Sequence, residues 1–403
     1  MKTIKIALLG FGTVGEGVYN TIHTHQNQLA SILDRKVEVA AVLIKDKRKD
    51  RGIGGHVLVT DDFEEILALQ DLDIVVEAIV GKEPAFSYVK QAIDKGCHVI
   101  TANKEMFASH GTELKQLAGR HGVTVGFEAT VAGGVPVIQT VQHLLNVNQV
   151  KKLEGILNGT SNYILSEMRS SGQSFEEALR AAQEKGYAEA DPTNDVEGYD
   201  AFFKLMILSE IAFGEKPAWE DIPREGITAI TGEQITAAEN LGLRFKLIAS
   251  IEKVGDRIVG FVRPTLVSEN HPLYNIEGVE NSVSIEGDIV GRITLQGPGA
   301  GMYPTASAVI EDVIHCYRAE PVLPHVDKQG ILNDRARKGQ GRSWLIMPAG
   351  DAAARQGASG KQEEPCFIVG DEATITQWKQ EHQGASFFEV LGIKEERLQE
   401  EKV

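Results

Sequence analysis

The run Ile4-Lys5-Ile6-Ala7-Leu8-Leu9-Gly10-Phe11-Gly12-Thr13-Val14-Gly15 decides the fold. Ile4 to Leu9 has the length and apolar character of a short strand, the glycines follow at once, and a helical stretch continues to about Leu33. Gly10 permits a tight turn, Gly12 lets the backbone approach a pyrophosphate, and Gly15 allows the helix to pack closely on the strand. The first amides of that helix are left facing anionic oxygens. A glycine spacing of this kind recurs by chance, but strand, turn and helix in this order make it specific. Gly10, Phe11, Gly12, Thr13, Val14 and Gly15 are therefore expected to form a dinucleotide-binding loop.

Working outward, a second strand, Val37 to Ile44, ends in Lys45-Asp46-Lys47-Arg48. This is where such folds read the adenosine ribose: an acid favours NAD, and cations favour the 2′-phosphate of NADP. Lys45, Lys47 and Arg48 lean towards NADP(H) over NAD(H), and Asp46 pulls the other way. An acidic helix (62–68), a buried strand (74–78), a helix (84–95) and a strand (98–101) then complete a doubly wound parallel sheet. Lys104 follows the last strand, at the carboxyl edge where ligands bind. It can equally be an ordinary lysine at a helix start. A helix near Thr112 to Arg120 and a strand, Val123 to Phe127, lead to Glu128-Ala-Thr-Val131-Ala-Gly133-Gly134-Val135-Pro136, with the next helix expected to begin at the proline. Such a turn exposes carbonyl oxygens that can hold a cation, although an uncomplicated turn is the simpler reading.

From about Lys151 the character changes. A strand, Lys152 to Leu157, runs into Asn158-Gly159-Thr160-Ser161-Asn162, whose hydroxyls and helix-start amides suit a carboxylate or polar substrate. The capping box Ser174-Phe-Glu-Glu177 opens a helix to Lys185, and Gly186-Tyr187 leads to an acidic loop containing Glu189, Asp191 and Asp195. Residues 201 to 213 are apolar on nearly every face, the pattern of a helix buried all round, with Asn194 or Asp195 as its candidate N-cap. Lys204 interrupts that run, and Asp200 lies one turn earlier on the same face. On an average helix such a pair is solvated; in apolar surroundings, beside further acids, it points to proton chemistry.

Composition narrows the function. At 403 residues the chain exceeds one core, and a formal charge of -16 argues against nucleic-acid or anionic-membrane surfaces. Small molecules and further copies of the chain are the expected partners. Cys97, Cys316 and Cys366 show no metal-ligand or redox spacing, which fits a reducing cytoplasm. A strand begins within four residues of the start with no leader pattern, and no run reaches membrane-spanning length, so a cytoplasmic protein is expected.

Further on, residues 234 to 249 read as helix, and 256 to 266 and 282 to 295 as alternating strands. Gln296-Gly-Pro-Gly-Ala-Gly301 turns into a helix from about Thr305 to Tyr317, and short strands are possible at 343–347 and 366–369. The expected architecture is α/β. A Rossmann domain (1–150, with 301–320 returning to it) precedes an α+β catalytic and dimerisation domain with an open sheet (151–300). A small C-terminal appendage spans 330–403. The open sheet makes a homodimer or higher homo-oligomer the expected assembly.

With these pieces placed, the chain resembles homoserine dehydrogenases over residues 1 to about 320. The resemblance rests on the glycine turn at 10–15, Thr-Ala-Asn-Lys at 101–104, Glu-Ala-Thr-Val-Ala-Gly-Gly-Val-Pro at 128–136, Asn-Gly-Thr at 158–160 and the acidic stretch ending in Lys204. It implies reduction of L-aspartate 4-semialdehyde to L-homoserine with NAD(P)H, on the path to threonine and methionine. It further implies Lys204 and Lys104 at the reaction centre with Asp200, and Glu189, Asp195, Thr160 and Tyr187 around the substrate. Gly301 would be a second nucleotide-facing turn. Glu128, Val131, Gly133 and Val135 would offer oxygens to sodium or potassium. Many members end in an ACT domain with a Pro-Gly-Val-Leu-type turn; none occurs between 330 and 403, so the appendage reads as degenerate ACT-like or unrelated, and inhibition by threonine is not implied.

Two other readings fit parts of the pattern. A phosphorylating semialdehyde dehydrogenase needs a nucleophilic cysteine, and Cys97 and Cys316 are poorly placed for that; other semialdehyde or hydroxy-acid dehydrogenases share the nucleotide turn. A redox-sensing nicotinamide-binding protein would need the turn but no buried lysine among carboxylates.

Overall fold

The computed structural model describes residues 2–48, 51–318, 342–347, 365–382 and 384–393. The chain divides into two compact units. The first comprises Met1–Val150, Phe203–Lys216 and Leu295–Gly330; the second comprises Lys151–Phe202, Pro217–Thr294 and Ile331–Val403.

In the first unit β1 (Thr3–Leu9), β2 (Lys36–Leu43), β3 (Leu58–Thr60), β4 (Ile74–Glu77), β5 (His98–Thr101) and β6 (Val125–Gly126) form a parallel sheet in the order β3-β2-β1-β4-β5-β6. The reversal of order beside β1 is the switch point of a dinucleotide fold, so the loops after β1 and β4 face its ligand crevice. The helices are α1 (Thr13–Thr24), α2 (Gln26–Leu33), α3 (Phe63–Leu67), α4 (Ala85–Asp94), α5 (Lys104–His121) and α6 (Val137–Gln139). The expected helix at 112–120 is longer than anticipated and starts at Lys104. Gly111 suggests a break, but here its bare backbone lets the Phe107 ring lie where a Cβ would stand 2.9 Å from it. The helix expected at Pro136 begins one residue later and passes at once into a π-helical turn, Thr140–Leu144.

In the second unit β7 (Val150–Ile156) leads to α7 (Gly159–Ser171), α8 (Phe175–Glu184) and the short α9 (Thr193–Val196); α10 (Tyr199–Phe213) starts in this unit and belongs to the first from Phe203 onward, and α11 (Gly232–Asn240) is again in the second. The capping box that opens α8 is present, both halves of it. Asn194 and Asp195 lie inside α9, which Glu197 and Gly198 separate from α10, so neither caps the buried helix. The expected helix over 234–249 is corrected. It stops at Asn240, Gly242 takes φ +72°, and β8 (Leu243–Val254) follows, paired along its length with β9 (Arg257–Ser268). Gly242 is a usual helix terminator, and the alternation beyond it is satisfied by the ladder.

β10 (Glu280–Gly287), β11 (Gly291–Pro298), β12 (Arg342–Met347), β13 (Cys366–Gly370) and β14 (Ser386–Leu391) complete a mixed sheet in the order β11-β10-β7-β8-β9-β14-β12-β13. The described C-terminal strands thus continue this sheet, with β14 parallel to β9. Arg263 on β9 fastens them, ion-paired to Glu372 and Glu389. By composition the basic segment 335–342 and the Ala/Gly/Gln stretch 349–362 read as loop-like; Arg342 instead opens β12, and the rest of both segments, with the charged tail 394–403, lies outside the described residues. The helix expected from Thr305 is α12 (Met302–Arg318), in the first unit.

α10 is buried as its composition demands: Phe202, Leu205, Met206, Ile207 and Leu208 are all nearly inaccessible. Each such side chain stabilises the fold by roughly 1.5–3 kcal/mol. Together they offset the several kcal/mol that burying an ionised group costs, which is how the helix can carry Asp200 at 2 % exposure and Lys204 at 7 %.

Candidate active site

The glycine turn after β1 is built as its sequence requires. Gly10 has φ +101°, and a Cβ on it would stand 2.7 Å from the Ala78 carbonyl. A Cβ at Gly15 would come within 2.1 Å of the Gly10 carbonyl, so any larger residue forces the helix off the strand. Gly12, by contrast, faces open space, and as N-cap of α1 it offers no side chain to the helix-start amides. Phe11 is buried, Thr13 exposed and Val14 half-buried. Gly301, with φ +119°, opens α12, and Met302 packs so closely on Gly17 that a Cβ there would lie 2.6 Å from its carbonyl. Gly301 thereby lies beside α1 in the same unit. Arg51, which the sequence did not single out, donates from Nη1 to the Phe11 carbonyl at 2.9 Å. At the end of β2, Lys47 is paired with Asp61 and Arg48 with Asp46, while Lys45 is exposed and forms no ion pair among the described residues.

Lys104 is presented by a network that local sequence did not reveal. Glu77, fully buried at the end of β4, accepts from the Ile79 amide and from the Thr101 hydroxyl, each at 2.6 Å. Thr101 in turn accepts the Asn103 amide at 2.9 Å. Asn103 caps α5 by accepting the Met106 amide and donates from Nδ2 to the carbonyls of Ile79 and Gly81. One acid thus ties the loop after β4 to the loop that carries Lys104. Burial pushes the Glu77 carboxyl up to about 7, against the pull of those hydrogen bonds.

The Glu128 turn combines a buried acid with backbone carbonyls, those of Val131 and Gly133, that take no part in the backbone hydrogen bonding among the described residues. The Glu128 carboxylate accepts the amides of Ile138 at 3.0 Å and Gln139 at 2.7 Å, and its own amide donates to Asp312 Oδ2 at 2.9 Å. Burial raises the carboxyl to about 7, and no basic side chain among the described residues pairs with it. Gly133 has φ +55° and approaches Gly299 so closely that a Cβ would meet its carbonyl at 2.4 Å. Val131 and Val135 are buried. The carbonyls of Val131 and Gly133 accept no backbone amide among the described residues, whereas that of Val135 accepts Val137 at 2.8 Å. No cluster of three or more His, Cys, Asp or Glu suited to a metal occurs among the described residues, so any cation here rests on Glu128 and carbonyls.

In the second unit the acids gather on Asn158. This residue caps α7, accepting the Ser161 amide on Oδ1 at 2.8 Å, and its Nδ2 donates to Asp195 at 2.7 Å and Asp200 at 2.9 Å. Thr160 donates to the Tyr187 carbonyl at 2.6 Å, and Gln183 donates to that of Glu189 at 3.1 Å, so the acidic loop is tied to α7 and α8. Glu189 and Tyr187 are exposed, Asp195 is half-buried, and Thr160 and Asp200 are buried. Lys246, also unforeseen, is buried under α7 and donates to Asn162 Oδ1 and the Ile276 carbonyl. Burial lowers its ammonium to about 8. From Asp200, α10 continues one turn to Lys204.

Two of the cysteines, Cys97 and Cys316, are poorly suited to thiol chemistry. Burial pushes Cys97 up to about 11 and Cys316 up to about 12, and the Cys97 thiol donates to the Leu72 carbonyl. A thiolate nucleophile needs the opposite environment. No helix among the described residues is long and apolar enough to cross a membrane.

A dinucleotide turn at the switch point of a parallel sheet, with a buried acid–lysine pair on a central helix, defines an NAD(P)-dependent oxidoreductase. Comparison with known proteins specifies which. Residues 10–128 match the family model described as homoserine dehydrogenase, NAD binding domain, and residues 136–314 match the one described as homoserine dehydrogenase. A homoserine dehydrogenase of Lactococcus lactis is 40% identical over 321 residues, covering 79% of this chain and 75% of its own. The crystal structure of a homoserine dehydrogenase from Thiobacillus denitrificans aligns with a TM-score of 0.86 at 34% identity, covering 97% of this chain and 98% of its own. A hyperthermophilic archaeal homoserine dehydrogenase in complex with NADPH aligns with a TM-score of 0.68 at 27% identity, covering 78% and 97%. The chain belongs to the homoserine dehydrogenase family. Its activity is the NAD(P)-dependent interconversion of L-aspartate 4-semialdehyde and L-homoserine, and the sensor reading is not favoured.

Proposed function

We propose that Lys204 is the proton donor of this reaction, with Lys104 second, and that NADP(H) is the preferred cofactor. The observation that carries the assignment is α10, which buries Asp200 and Lys204 one turn apart in apolar surroundings. When bound, the nicotinamide supplies the hydride for the aldehyde carbon. The ammonium of Lys204 protonates the developing alkoxide, and Asp200 orients that ammonium and favours its charged form. Glu189 and Asp195 hold the substrate ammonium, and Thr160 and Tyr187 contact the substrate at the start of α7 and on the loop.

Preference for NADP(H) is supported by the cation pattern after β2. The carboxylate that would favour NAD, Asp46, is occupied by Arg48, whose hydrogen bonds hold it below the usual range. Lys45 is left exposed for a 2′-phosphate, and Arg51 stands by at Phe11. The archaeal relative in complex with NADPH agrees in kind. A monovalent cation at Glu128, Val131, Gly133 and Val135 fits an acid that is buried without a counter-charge, and it would supply that charge. The boundary between compact units after Val150 supports a dinucleotide-binding role for 1–150 with 301–320 and a catalytic and dimerising role for 151–300, although 203–216, which carries Lys204, groups with the first unit. Pairing into a homodimer is supported by β11, an edge strand with alternate residues exposed, beside Ile289 at 70 % exposure. A cytoplasmic location accords with the unpaired cysteines.

The test is turnover of NADPH with aspartate semialdehyde at saturation. Lys204→Ala is expected to lose roughly 10²–10⁴-fold in kcat, the usual weight of a positioned acid, and Lys104→Ala less. Near-wild-type turnover in Lys204→Ala ends the assignment.

A further inference from the structure

We propose that Asn158 is a positioning residue that sets the spacing of the two acids on which substrate and Lys204 depend; this rests on the reading of Asp195 and Asp200 given above. The Ser161 amide can only donate, so it fixes Oδ1 of Asn158 towards α7 and directs Nδ2 to the other side. Both hydrogens of Nδ2 are then committed, one to Asp195 and one to Asp200, at 2.7 and 2.9 Å. The two acids come from different segments, α9 and α10, and one buried amide joins them at the start of α7.

The chemistry favours an amide at this point over any charged group. A lysine or arginine would neutralise the acids and weaken their hold on an ammonium. An aspartate would keep the cap but place a third carboxylate against two others. The neutral amide holds both acids without neutralising either.

Capping and positioning separate by substitution, because serine and aspartate cap helices about as well as asparagine. Asn158→Ser is expected to melt within a few degrees of wild type while its KM for homoserine rises roughly 10-fold or more, the scale set by losing hydrogen bonds to charged acceptors. KM for NADP should stay unchanged, a split that a general loss of structure would not give. Asn158→Asp should raise KM further. Asp195→Asn is measured alongside. If it raises KM for homoserine and Asn158→Ser does not, the positioning role is wrong and the reading of the acids stands. If Asp195→Asn itself leaves KM unchanged, the reading of the acids fails and takes the proposal with it.

Discussion

Replacing sodium or potassium by choline at constant ionic strength should destabilise the protein at about pH 8 and leave it unaffected at about pH 5. The expectation follows from Glu128, buried at 2 % exposure and raised by burial from 4.5 to about 7. A raised carboxyl means that between those values the folded state keeps a proton the unfolded chain has released. Stability therefore falls as pH rises through that window and levels off above it. Moving the carboxyl from 4.5 to about 7 costs at most ~3 kcal/mol, at ~1.4 kcal/mol per pH unit. Asp312, pushed up to about 8 by burial beside it, adds a loss of the same sign that extends to higher pH. The proposed cation on Glu128 and the turn carbonyls would bind the ionised form and cancel most of the Glu128 share. Thermal melts in potassium, sodium and choline chloride at the two pH values measure this. The expected gap near pH 8 is about 2–3 kcal/mol, several degrees in a chain of this size. Glu128→Gln should lose both the cation effect and its part of the pH slope. Equal melting in choline and alkali chloride near pH 8 refutes the cation site, and a pH slope unchanged in Glu128→Gln refutes the treatment of Glu128 as a buried acid.

Two further substitutions probe the cofactor side. Glu77→Gln places an amide against donors that need acceptors, so KM for NADPH should rise about 10-fold and stability fall by about 1–3 kcal/mol; a variant with wild-type KM and melting would show that the Glu77 clasp does not position the Lys104 loop. Lys45→Ala is expected to lower kcat/KM for NADPH several-fold while sparing NADH, since an exposed cation reads only the extra phosphate; equal losses with both cofactors would remove Lys45 from 2′-phosphate recognition.

Much of the site was legible because it is written in local pattern. The glycines at 10, 12 and 15 announce their turn through backbone sterics alone, and the structure gives each the contact or open space its role requires. The burial of Lys204 was legible from the apolar residues on every side of it. The error at 234–249 has the same origin. Helix and strand periods overlap in a short apolar run, and only the ladder from Leu243 to Val254 against β9 separates them.

By itself the amino-acid sequence determined the dinucleotide turn, the alternation that builds a parallel sheet, the buried central helix and the order of motifs that marks the family. Each depends on neighbours a few residues apart, through steric limits on the backbone or partition of side chains from water. Tertiary structure alone decided which polar groups meet. Glu77 finds Thr101 across the sheet, Asn158 gathers Asp195 and Asp200 from two segments, and Glu128 lies against Asp312. A buried polar group must find a partner wherever the fold brings one, and that choice leaves no periodic trace along the chain.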